Sequence, residues 1–500
     1  MDGCPPQQRA CDRCHNIKER CRWVHGYPKC DRCFRLNHIC QKNRPTRKRG
    51  RRPFSSPDDS PVGGNDFRQD GLHRDRIRVP GRHYQPPSLD SKDTGYTCPE
   101  ESSGGEASIT SRPGNGLMKY NIKMSTAETE QIRQILFSDC LLENFILGPS
   151  FCESMRQYLI PRLFLSKTVL QDGFLAGALS WTGTEEGCLE PDLVDASFRH
   201  ASSALASLGS LKVTDFETMS DCLMLGVSLI NFALKHRVKD VHTICCQTLV
   251  LMKPFYDVHL SGASDPLGLL TCMTLWDISG SVLQSKIPTL RFCVPQTSTD
   301  QHVDRYLGIC VSLIPLLQDI CEISAALLCV DADDAQGIFQ TWHELEDKVQ
   351  QWRPATSQDL HRLFNAIEVS HMLCQAQVWQ QAALLILHRL RHPYGTNDEP
   401  ARVLSKAILT NLDMIHLCTR KAVKHVELAF LVACLEVEAR QRRQWLQKVR
   451  VLVGYSAQFQ KDMQDTITSI WRAQDRCKTM SWGSLSIFSS GFLRSPTVQI

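Results

Sequence analysis

The chain has 500 residues, of which 42% are hydrophobic, so it can bury at least one large core and is long enough for two or more domains. It has no run of about 18 apolar residues and no signal-peptide pattern after Met1. We therefore expect neither a membrane span nor secretion. In a reducing compartment, clustered cysteines among the 23 in the chain are metal ligands more often than disulfides.

The net charge of +4 is distributed unevenly along the chain. Residues 1–53 contain 15 lysines and arginines against 4 aspartates and glutamates, whereas the rest of the chain contains 42 against 49. A basic arm attached to a mildly acidic body is typical of a protein that binds a polyanion.

Six cysteines of the basic arm form two half-motifs, C-D-R-C-x6-C, offset by 19 positions. Zinc prefers four thiolates in a tetrahedral arrangement, and six cysteines complete two such sites only if two of them are shared. We therefore predict a compact cluster of two Zn²⁺ ions. Because the segment has few aliphatic residues, metal binding must supply much of its folding free energy. The predicted ligands are Cys11, Cys14, Cys21, Cys30, Cys33 and Cys40.

The spacing of these cysteines resembles that of the fungal zinc binuclear cluster (Zn2-C6) transcription factors. The resemblance implies that Cys11 and Cys30 bridge the two zinc ions. It also implies that Lys18, four residues after the second cysteine, reads a CGG triplet through guanine O6 and N7 in the major groove. Pro28 matches the family's loop between the halves, whereas His15 stands where the family usually has arginine or lysine.

Further basic residues support a DNA partner. Arg20 and Arg22 make the first half-motif cationic, whereas the second is nearly neutral, so we expect the first half to face double-stranded DNA. The run Arg47, Lys48 and Arg49 follows the cluster, and we interpret it as a phosphate-contacting and nuclear-import segment. Together with the resemblance, these residues imply a nuclear, sequence-specific transcription factor that regulates RNA polymerase II target genes.

The rest of the chain predicts a linker and a helical body. Residues 54–118 are rich in Pro, Gly, Ser and Asp without a heptad pattern, which predicts a disordered linker rather than a coiled coil. Residues 119–500 show apolar residues at helical spacing, which predicts a mainly all-α regulatory domain. One long helix is predicted from Val426 to Leu446, and prolines are predicted to separate helices of ordinary length. We interpret most of the 16 cysteines beyond residue 53 as small core residues.

Two other classes of protein fit the sequence less well. A RING-like ubiquitin ligase, a zinc-dependent protein-interaction module, needs eight ligands, and the histidines near the cysteines do not have the required spacing. An enzyme is not expected, since the chain has no phosphate-binding loop, dinucleotide fingerprint, zinc-protease motif or nucleophile elbow. The helical domain is large enough to offer a homodimer face, so we expect weak self-association through it.

Overall fold

The structure is a computed structural model. It describes residues 11, 14, 21, 30, 33 and 40, and residues 126–488 except 139–141, 144, 166–167, 182–190, 260–267, 295–302, 330–334 and 355–359. The chain divides into two compact units, 1–106 and 107–500. The finer division predicted at residues 53 and 118 falls outside the described residues and stays a prediction.

The larger unit is helical throughout its described part. That part contains two isolated β-bridges, at Asp304–Gly308 and Tyr394–Met480, and no strand, so the predicted all-α fold is confirmed. We number its helices in chain order: α1 Thr126–Phe137, α2 Cys152–Leu165, α3 Thr168–Trp181, α4 Pro191–Ser210, α5 Phe216–His236, α6 Val241–His259, α7 Leu269–Leu283, α8 Ile314–Leu327, α9 Ala335–Gln351, α10 Leu360–Leu363, α11 Ala366–Arg391, α12 Asp398–Thr419, α13 Glu427–Cys434, α14 Ala439–Leu452, α15 Ala457–Arg476 and α16 Leu485–Phe488.

Helix α5 is the centre of the first half of this unit. It begins with a capping box in which the Asp215 side chain accepts from the Thr218 N–H, and it contacts α3, α4, α6, α7 and α15. By length and composition alone α5 could cross a membrane, but 67% of its apolar window is buried inside the unit. Its apolar composition therefore follows from packing on several sides at once.

Helix α11 is the central helix of the second half of the unit, as α5 is of the first, and it contacts α8, α9, α12 and α13. Its N-terminus is capped by Asn365, whose side chain accepts from the Glu368 N–H. The Glu368 carboxylate also accepts from the N–H and the hydroxyl of Ser150, at 2.9 and 2.6 Å. A side chain at Gly148 would clash with Glu368, so glycine is required there for this contact. The contact joins segments 218 residues apart.

Helix α15 connects the two halves into one continuous core. It contacts α5 on one side and α13 and α14 on the other. The Ser456 hydroxyl caps α15 and also donates to the Leu234 carbonyl at the end of α5, at 2.6 Å. Further along α15, the Trp471 indole donates to the Cys434 carbonyl at the end of α13, at 2.9 Å.

The prediction of one long helix from Val426 to Leu446 is wrong, because the helix is interrupted between α13 and α14. The break places Glu436 against the buried guanidinium of Arg389, which also binds Asp398 at 2.9 Å. Two prolines predicted to separate helices, Pro161 and Pro254, lie instead inside α2 and α6.

Candidate metal centre

The sulfurs of the six N-terminal cysteines form two groups of four. Within each group, all sulfurs lie within 4.8 Å of one another. Cys11 and Cys30 belong to both groups, and their sulfurs are 3.7 Å apart. The first group adds Cys14 and Cys21, and the second adds Cys33 and Cys40.

Backbone N–H groups repeat the sequence symmetry around these sulfurs. The Cys14 N–H donates to the Cys11 sulfur at 3.4 Å, and the Cys33 N–H donates to the Cys30 sulfur at 3.5 Å. In the same way, the Cys11 N–H donates to Cys21 and the Cys30 N–H donates to Cys40, each at 3.3 Å. Residues 19 positions apart thus have equivalent surroundings. These N–H bonds help to lower the pKa of Cys11 and Cys30, whereas burial outweighs them at Cys21 and Cys40 and raises the pKa of both thiols.

The thiols do not ionise equally easily. Burial acts to raise the pKa of Cys11, but the Cys14 N–H and hydrogen bonds from neighbouring thiols outweigh it and lower that pKa to about 6. Burial, followed by hydrogen bonds with Cys30 and Cys11, raises the pKa of Cys33 to about 12, and burial also raises the pKa of Cys14. Six thiolates packed this closely need cations to balance their charge, so metal binding releases protons.

The donor set and its spacing fit zinc. A tetrahedral zinc with bond lengths of about 2.3 Å separates two sulfurs by about 3.8 Å. The measured separations are 3.7 Å for Cys11–Cys30, 3.7 Å for Cys14–Cys30 and 3.6 Å for Cys11–Cys33. Cys11, Cys14, Cys30 and Cys33 are buried, and Cys21 and Cys40 are half-buried. The six cysteines could therefore hold two metal ions that share two ligands.

The basic residues assigned to DNA contact lie outside the described residues, so their roles stay predictions. They are Lys18, Arg20, Arg22, Arg47, Lys48 and Arg49.

Sequence reasoning missed a second set of metal-ligating residue types. His242, Cys246 and Asp277 lie together in the helical unit, with donor atoms within 4.8 Å of one another. Most cysteines described in that unit are buried, such as Cys245 and Cys434, but Cys246 is only half-buried. The available signal was the four-residue spacing of His242 and Cys246, which puts both side chains on one face of a helix.

Comparison with known proteins identifies the helical unit. Residues 138–491 match the family described as the fungal specific transcription factor domain, and the match does not extend to the six N-terminal cysteines. No curated protein and no solved structure matches the chain.

The protein is thus a transcription regulator with an N-terminal thiol cluster. The chain belongs to the family of fungal proteins that contain the fungal specific transcription factor domain. Membership implies, in general terms, a DNA partner and a nuclear location, and it is membership in a family of regulators rather than of enzymes.

Proposed function

We propose that the six N-terminal cysteines bind two Zn²⁺ ions and that the folded cluster recognises DNA by sequence. The observation that carries this proposal is the pair of four-sulfur groups with Cys11 and Cys30 in common. In the proposed cluster, Cys14 and Cys21 complete one zinc site, and Cys33 and Cys40 complete the other. No position is left open on either metal for a substrate, so the site is structural.

The zinc ions supply the positive charge that keeps the buried sulfurs ionised. The chain's own residues then present the basic surface. Lys18 contacts the guanines of a CGG triplet in the major groove, and Arg20 and Arg22 add positive charge to the same half-motif. Arg47, Lys48 and Arg49 bind phosphates, which adds affinity but no sequence preference. The protein acts in the nucleus on genes transcribed by RNA polymerase II.

The test is binding of the full-length protein to a CGG-containing duplex and to a scrambled duplex, with zinc and after chelation. Lys18→Ala should abolish the preference for CGG and leave zinc content unchanged, because one good base contact discriminates by about 1–3 kcal/mol. Lys42→Ala is the matched control in the same arm and should keep the preference. Unchanged discrimination by Lys18→Ala would rule out its assignment.

Duplex binding, together with a ubiquitin-transfer assay, separates DNA recognition from the RING-like alternative. If the module were RING-like, it would transfer ubiquitin in a zinc-dependent manner with a conjugating enzyme, and it would show no zinc-dependent preference between the two duplexes. A difference in duplex affinity that disappears on chelation supports DNA recognition.

We also propose that the helical unit joins two chains. Apolar side chains on one outward face of α12 are exposed: Val403, Met414 and Leu417. A dimer through this face links two clusters through residues 54–118, which the sequence predicts to be a disordered linker, so we expect it to tolerate variable half-site spacing.

Sedimentation of the full-length protein and of residues 1–118, with binding to paired CGG sites at stepped separations, tests the dimer. Met414→Glu should give monomers, while Val250→Glu on the exposed face of α6 should not. A sharp spacing preference by residues 1–118 alone would contradict the proposal.

A further inference from the structure

Three side chains that are common metal ligands meet between α6 and α7. His242 and Cys246 lie one turn apart on α6, and Asp277 lies on α7. The Cys246 sulfur is 3.5 Å from His242 Nε2 and 3.5 Å from Asp277 Oδ1, and Nε2 and Oδ1 are 3.8 Å apart. The three donor atoms therefore form a nearly equilateral triangle.

This arrangement differs from a catalytic relay. In a Cys-His-Asp relay, the thiol and the carboxylate lie on opposite nitrogens of the imidazole. Here the carboxylate approaches Nε2, which is also the ring nitrogen nearer to the sulfur. Because the three donor atoms face one another, the arrangement suits a bound metal ion better than a linear proton relay.

Two of the three distances fit a tetrahedral zinc, and the third requires a small rotation of the imidazole. Bond lengths of about 2.3 Å to sulfur and about 2.0 Å to nitrogen or oxygen separate sulfur from the lighter donors by about 3.5 Å, and nitrogen from oxygen by about 3.3 Å. In the structure, the Cys246 sulfur is 3.5 Å from both lighter donors, as such a zinc site requires. His242 Nε2 and Asp277 Oδ1 are 3.8 Å apart, which is longer than the required separation of about 3.3 Å. The sulfur also lies 3.8 Å from Nδ1, so the imidazole must turn about its Cβ–Cγ bond to direct Nε2 between the other donors.

The surroundings of the triangle resemble the outer shell of a metal site. The Thr289 N–H and hydroxyl hold the Asp277 carboxylate, at 2.6 and 3.0 Å. The Gln284 amide nitrogen lies 3.4 Å from His242 Nδ1, so this amide is within reach of the ring but faces it as a donor. Hydrogen bonds to ligand side chains fix their orientation and increase metal affinity. A side chain at Gly280 would meet the His242 ring at 2.0 Å, so this glycine makes room for the imidazole.

Metal at Nε2 requires the proton of a neutral imidazole to sit on Nδ1. The Gln284 amide must then turn its oxygen toward Nδ1, which gives up the hydrogen bond that this oxygen accepts from the exposed Lys286. His242 and Asp277 are buried, whereas Cys246 is half-buried. The half-buried sulfur of Cys246 offers a route of entry for a metal ion.

We propose that His242, Cys246 and Asp277 bind one Zn²⁺ ion between α6 and α7. This site is independent of the N-terminal cluster and connects the helical regulatory unit to zinc availability. A thiolate, an imidazole and a carboxylate together suit zinc, whereas magnesium and calcium prefer oxygen ligands alone.

The test uses the full-length chain with all six N-terminal cysteines changed to serine. The N-terminal cluster then binds no metal, so the result depends only on the site between α6 and α7 and not on whether the proposed cluster is correct. Cobalt(II) is the probe, because a thiolate–cobalt charge-transfer band reports a bound sulfur. We expect one cobalt per chain, displaced by zinc. Adding Cys246→Ser or His242→Asn should remove the band and the bound metal, whereas Cys245→Ala on the same helix should keep both.

A second variant covers the case in which ligand variants do not fold. Gln284→Ala leaves all three ligands in place and should weaken cobalt binding by about 10–100-fold. Far-UV circular dichroism checks that each variant is helical. The proposal is overturned if the six-serine chain binds no cobalt, or if folded Cys246→Ser binds it as tightly as its parent.

Discussion

The described parts of the two units have different kinds of buried side chains, and we therefore expect each unit to be stabilised in its own way. In the N-terminal unit the structure describes six cysteines, four buried and two partly buried, whose sulfurs lie close enough together to share metal ions. In the helical unit, aliphatic and aromatic side chains from nearly every helix form one core, so this unit gains its stability from the removal of apolar surface from water. Under the proposed function, the first unit depends instead on bound zinc, a ligand that is not part of the chain.

The largest expected effect is on metal removal. Chelation of zinc should unfold the cluster and abolish CGG binding, because structural zinc sites contribute on the order of 10 kcal/mol to folding. The helical unit should keep its far-UV circular dichroism signal. Native mass spectrometry of residues 1–60 alone, which lack the site proposed between α6 and α7, should show the release of two zinc ions. Release of one or three ions would contradict the shared-ligand arrangement.

Single cysteine variants sharpen the same point. Cys11→Ala or Cys30→Ala removes a sulfur common to both groups, so each should reduce zinc content and DNA binding more than Cys14→Ala does. Equal losses from all three variants would argue against shared ligands.

The next effect belongs to the helical unit alone. Arg389 is buried and paired with Glu436 and Asp398, so Arg389→Met leaves the buried Glu436 carboxylate without its cation and should destabilise the unit by about 3–5 kcal/mol. Urea unfolding measures this change. Arg402→Met, at an exposed arginine 3.8 Å from Asp398, is the control and should change stability by less than about 1 kcal/mol. CGG discrimination should be unchanged in both variants.

A smaller effect depends on pH. Glu427 is buried, and this burial raises its pKa to about 7. The folded state thus holds a proton that the unfolded state has released, so Glu427 contributes stability at low pH that is lost as pH rises through 7. Relative to Glu427→Gln, the wild-type unfolding free energy should fall by up to about 1.4 kcal/mol per pH unit between pH 4.5 and 7. A constant difference across this range would show that Glu427 does not titrate there.

The smallest effect concerns the basic tail. Replacing Arg47, Lys48 and Arg49 with glutamine should weaken binding to CGG and scrambled duplexes alike. The slope of log affinity against log salt should become shallower by about three units, since each phosphate contact contributes about 0.9. Arg440→Gln, at an exposed arginine of the helical unit, should leave the slope as it was. A sequence-dependent loss from the tail variant would assign base contacts to these residues.

For the first unit the sequence predicts a set of metal ligands, which stays a prediction, and for the second it predicts the helical class, which is confirmed. Metal ligands must recur at fixed spacing, so a repeat such as C-D-R-C-x6-C is visible in one chain. The helical class was also predictable, because apolar periodicity is a local signal. The break before α14 was not predictable from local periodicity, because Glu436 at the break pairs with Arg389, which is 47 residues away in the chain. The meeting of Cys246 with Asp277 likewise requires two helices to pack first.

The contacts of α15 and its C-terminal neighbours bear on how the protein is made. Ser456 donates to α5, and the Trp482 indole donates to the Val282 carbonyl, at 2.9 Å, at the end of α7. The ribosome must therefore complete nearly the whole chain before the helical core can close. At about 5–20 residues per second, the cysteines of residues 11–40 emerge roughly 20–90 seconds before Trp482. During that interval the nascent chain can take up zinc while the helical unit still exposes apolar surface to chaperones.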